Sequence, residues 1–65
     1  MICYSLLNAY ERARIAEIRD LLVELYVDRN HALATGMPAR AKNAEREIED
    51  LLEEKADIER SAGVA

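Results

Sequence analysis

The carboxylates are the first residues in this 65-residue chain whose spacing invites chemistry. Asp20, Glu24 and Asp28 recur at every fourth position, and His31 follows Asp28 by three. Glu45, Glu49, Glu53 and Asp57 repeat the pattern further along. Like charges at that spacing on a helix repel one another mildly, so two such rows invite a cation. Carboxylate-bridged di-metal bundles hold their ions through Glu-x-x-His on inward faces. Here the corresponding residues are Asp28-Arg29-Asn30-His31, and His31 falls on a flank rather than inward. The rows are therefore expected to be solvated faces, and no residue is assigned to a metal. A metal-binding carboxylate bundle stands as one alternative reading.

A second cluster is basic. Arg29, His31, Arg40, Lys42 and Arg46 gather around the middle of the chain, where they would suit a phosphate ligand. No aromatic residue is interleaved with them, so the stacking platform of a single-strand binder is missing. The net charge of −4 also argues against a dedicated duplex-binding domain. A nucleic-acid-binding regulator using this basic tip is the other alternative.

The remaining reactive types offer less. Cys3 lies among ten uncharged residues, MICYSLLNAY, without the cationic surroundings that activate a thiol. Lys55 interrupts an apolar row and is expected to snorkel or to set register through an ion pair. Tyr4, Tyr10 and Tyr26 lie at or beside apolar positions and are read as packing residues. Acyl or phosphoryl transfer needs a nucleophile, a base and a preorganised pocket. One histidine, two serines and no glycine-rich loop do not supply them. The chain is read as non-enzymatic, with no catalytic residue and no cofactor.

The elements that must carry these residues are helices. Ala, Leu, Glu and Arg dominate, and two glycines and one proline leave almost no material for turns. Thr35-Gly36-Met37-Pro38 is the one clear break: Gly36 suits the left-handed position after a helix, and Pro38 the first turn of the next. The spacing predicts a single domain over 1–65, with a helix from about Ser5 to Ala34, a turn over 35–38 and a helix from about 38 to 61. Ser5 is the expected N-cap, with Asn8 second. Folding the chain about Gly36 brings Leu25 to Ile48, Leu22 to Leu51 and Ile15 to Ile58. The fold class is all-α: an antiparallel two-helix hairpin.

The first helix has more apolar surface than one neighbour needs. At about 100° per residue, Ile15, Ile18, Leu21, Leu22 and Leu25 share one face, continued by Arg29 and Ala32. Val23 and Val27 point the opposite way with Ala9, Ala16 and Ala34, and Tyr26 sits at the edge. The second helix has one stripe, Ala41, Ala44, Ile48, Leu51, Leu52, Ile58 and Ala62, and an outward charged side that includes Glu54. A two-helix layer encloses no core. The hairpin is therefore expected to be completed as a homodimeric four-helix bundle. Its interface is expected to draw on Tyr4, Leu7, Tyr10, Ala16, Val23, Tyr26 and Val27, with residues 1–10 overhanging the second helix. Basic residues around the turn and seven acids after residue 46 suggest an antiparallel dimer.

A single cysteine, no apolar run of about 18 residues and no signal-peptide pattern make a soluble cytoplasmic protein the expectation. The function this points to is a protein–protein interaction module, a small oligomeric bundle acting as adaptor, assembly factor or inhibitor, with no membrane contact and a protein partner beyond its own copy.

Overall fold

The computed structural model describes residues 7–63, which form a helical hairpin: α1 over Ala9–Ala34, a short turn, and α2 over Pro38–Ser61. The expected positions Ile2, Cys3, Tyr4, Ser5 and Leu6 lie outside the described residues.

α1 begins at Ala9 rather than near Ser5, because Asn8 caps it. The extended backbone of Asn8 lets its Oδ1 accept from the Glu11 amide at 2.8 Å, while Glu11 Oε1 accepts from the Asn8 amide at 3.0 Å. This reciprocal box satisfies two amides that the first turn leaves without partners. Asn8→Ala should cost about 0.5–2 kcal/mol. A urea melt should show it as a lower midpoint with an unchanged slope, and an unchanged midpoint would rule out the cap as a stabilising element.

α1 ends as Gly36 predicts. Gly36 has φ +72°, its amide donates to Leu33 O at 3.3 Å, and the Met37 amide donates to Ala32 O at 2.8 Å. That pair of bonds is the Schellman motif, which only a residue free to adopt positive φ closes cheaply. The Thr35 hydroxyl adds a bond to His31 O at 2.9 Å. Pro38 then opens α2 at a position where its missing amide costs nothing.

Ile18, Leu22 and Ile48 form the centre of the core, with Leu25, Leu51 and Ile58 packed against them. Toward the turn the helices approach over small residues, Ala32 on α1 and Ala41 and Ala44 on α2, all buried. Three expectations are corrected. Leu21 and Leu52 were placed on the buried stripes, yet they are 36% and 44% exposed, because they sit at the edges of those stripes, where the other helix covers them only in part. Glu54, expected to point outward, is half-buried against α1. The whole measures 43 × 21 × 15 Å. Its thinnest dimension is little more than the roughly 10–12 Å diameter of one helix, so the hairpin is a single layer. Among the described residues no helix is long and apolar enough to cross a membrane.

Candidate functional site: the outer face of α1

α1 is apolar on more than one side, whereas α2 gathers its apolar residues on one. The surplus is on the surface. Val23 is 64% exposed and Val27 61%, one turn apart on the side of α1 away from the core. Ala9, Ala13, Ala16 and Ala34 continue this strip and are also exposed. A β-branched residue in a helix gives up side-chain freedom, and burial of the valines against a partner would offset that cost.

The other residues expected at an interface are placed differently. Tyr26 is at the rim of this face, with the Arg29 guanidinium 5.2 Å from its ring centroid in a cation–π contact. Leu33, which the sequence reading passed over, extends the same rim and is exposed. Tyr10 is 79% exposed and belongs to the other flank, where it borders a depression with Ala13, Arg14, Glu17 and Glu54. Leu7 was expected to need a partner. It is instead 2% exposed, so the chain itself covers it, and its carbonyl accepts from Arg12 Nη1 at 3.1 Å.

Two ion pairs cross or line the helix interface, and neither was anticipated in detail. Arg14 grips Glu54 with both arms of its fork, Nε to Oε2 at 2.5 Å and Nη2 to Oε1 at 2.8 Å, and also reaches Glu17. The hydrogen bonds from Arg14 hold the Glu54 carboxyl below the usual carboxylate range, and the guanidinium is correspondingly raised. Lys55 donates to Glu59 at 3.0 Å, and Glu59 is buried. Lys55 therefore interrupts the apolar stripe in an ion pair, but the pair lies within α2 and so does not set the register between the helices. The signal for Glu59 was present in the spacing: it stands four residues after Lys55, on the stripe of Ile48.

A depressed carboxylate pKa contributes stability above the unfolded value, about 4.3 for Glu. That contribution is lost as pH falls through the lower folded value. The melting temperature should therefore fall on acidification below about pH 4, and Glu54→Gln should flatten that slope. An equal slope in parent and variant would remove Glu54 from the acid response.

The chemistry considered from sequence does not assemble. Among the described residues no group of three or more His, Cys, Asp or Glu side chains is placed to hold a metal ion. The basic residues do not form one patch. Arg29 is half-buried at the helix interface, and Arg40 and Lys42 leave α2 about 200° apart. His31, Arg40, Lys42 and Arg46 are all exposed. Between the helices lies a shallow groove of about 400 Å³, floored by Leu21, Leu25 and Leu51 and rimmed by Glu24, Asp28, Glu47 and Asp50. It contains no nucleophile, no cation and no glycine-lined phosphate cradle. No protein-family model, curated protein or solved structure matches this chain.

Proposed function

We propose that this chain is a non-enzymatic interaction module, a helical hairpin that presents the outer face of α1 to another helix and is completed as a homodimeric four-helix assembly. The observation that carries the reading is the exposure of Val23 and Val27 directly opposite a packed core face. Apolar surface in water forfeits about 25 cal/mol per Å², and a layer this thin has little other stability to draw on. Association through that face recovers part of the loss. The assembled module would act as an adaptor, an assembly factor or an inhibitor, according to which further protein it holds.

Sedimentation equilibrium at micromolar concentration tests this directly. The parent chain should sediment as a dimer, and Val23→Glu should shift it toward monomer while Glu53→Ala leaves it unchanged. A stable, folded monomer of the parent chain would refute the reading.

A further inference from the structure

We infer that two copies of this chain pair in parallel and in register along the outer face of α1. The inference rests on the reading of that face as an association surface and adds the partner's identity and direction. Ala13, Ala16, Val23, Val27, Asn30 and Ala34 follow one another in steps of three, four and seven, the spacing of a two-stranded coiled-coil seam. All six are exposed, and the seam faces away from α2.

The charges beside the seam are sorted by side. Arg12 and Arg19 lie on one flank and Glu17 and Glu24 on the other, each pair seven residues apart and all exposed. In a parallel pair, a residue on one flank faces the partner residue five positions later on the opposite flank. Arg12 then meets Glu17 of the second copy, Arg19 meets Glu24, and the twofold axis repeats both contacts. Arg12 also serves the Leu7 carbonyl and Glu17 also takes a contact from Arg14, but a guanidinium has five donors and a carboxylate four acceptor sites.

Antiparallel pairing sets each flank against its own kind, so glutamate meets glutamate and the arginines find no acid opposite. The charges that favour it, a basic turn beside an acidic far end, stand farther from the seam. Exposed charges lose most of their interaction beyond about 8–10 Å at ordinary salt, so the contacts at the flanks decide. The other apolar surface, the leucine-floored groove, carries four carboxylates on its rim, and two copies placed groove to groove would repel. Two polar residues face inward on the seam. Asn30 meets Asn30 of the second copy, where the two amides can hydrogen-bond to each other. Asp20 also falls on the seam and meets its own charge, a cost of this register, so Asp20→Asn should tighten the dimer.

The test uses the full chain with Cys3→Ser and a single new thiol, Ala13→Cys, under mild oxidation. In the parallel register the two thiols are adjacent, and a disulfide-linked dimer should accumulate on a non-reducing gel. In an antiparallel pair centred on α1 they stand about 25 Å apart and should not link. A dimer by sedimentation without that cross-link overturns the parallel register and leaves the interaction module standing. A folded monomer overturns both. A second arm reverses charge: Arg12→Glu with Arg19→Glu in one chain, Glu17→Arg with Glu24→Arg in another. Each alone should raise the dissociation constant roughly tenfold, and an equimolar mixture should recover parental affinity. Unchanged affinity in either single chain would remove the flank charges from the interface.

Discussion

Ile18→Ala should remove a large share of the chain's stability. Ile18 is 0% exposed and stands at the centre of the cluster with Leu22 and Ile48, touched from α2 by the residues that hold the hairpin shut. Truncating a buried isoleucine costs about 2–5 kcal/mol in transfer free energy and residual cavity. At roughly 0.05–0.15 kcal/mol per residue, the whole stability of a chain this size is about 3–10 kcal/mol. One substitution then removes a large share of it. Helix content followed by circular dichroism through a urea titration measures the effect. If Ile18→Ala keeps the parent's urea midpoint, the core has been misplaced.

The second large effect is on concentration. If folding is coupled to association, tenfold dilution withdraws about 1.4 kcal/mol per dimer. With an unfolding entropy near 2.1 cal/mol/K per residue over both protomers, that lowers the melting temperature by about 5 °C. Val23→Glu places a charge in the seam and should remove the dependence along with part of the stability. Scanning calorimetry at protein concentrations a hundredfold apart separates the cases. A melting temperature independent of concentration in the parent would mean that the hairpin stands alone.

How much of this was legible in the sequence follows from the range of the signals. Gly36 and Pro38 mark the turn because positive φ and a missing amide are local properties, and the turn lies where they place it. The core stripe was legible for the same reason, since helical period alone puts Ile15, Ile18 and Leu22 on one side. Edge positions were not. Leu21 and Leu52 sit where a small change in the crossing of the helices decides between burial and exposure, and no window of sequence contains that crossing. The partnership of Arg14 with Glu54 joins residues forty apart. It depends on the register of the closed hairpin, which apolar matching fixes only to within a turn. The start of α1 was readable: Asn8 followed three residues later by Glu11 is a capping-box pattern, and Asn8, the second choice, caps the helix. For the candidate site, the apolar back of α1 was visible in the sequence, while the loss of Leu7 from it required the fold.

The one-sidedness of α2 governs how far assembly can go. α1 has two apolar faces and α2 has one, so on the proposed reading each hairpin offers one outward helix face for association. When two copies close on each other through α1, the order of helices becomes α2, α1, α1, α2, and both ends of the row are the charged backs of α2, where Arg46, Glu53 and Asp57 face water. Such an interface is isologous and consumes itself. Among the described residues Leu52 is the one large apolar side chain of α2 left exposed, so in the proposed pair little would remain at either end to recruit a third copy, and growth would stop at two rather than run on as a filament.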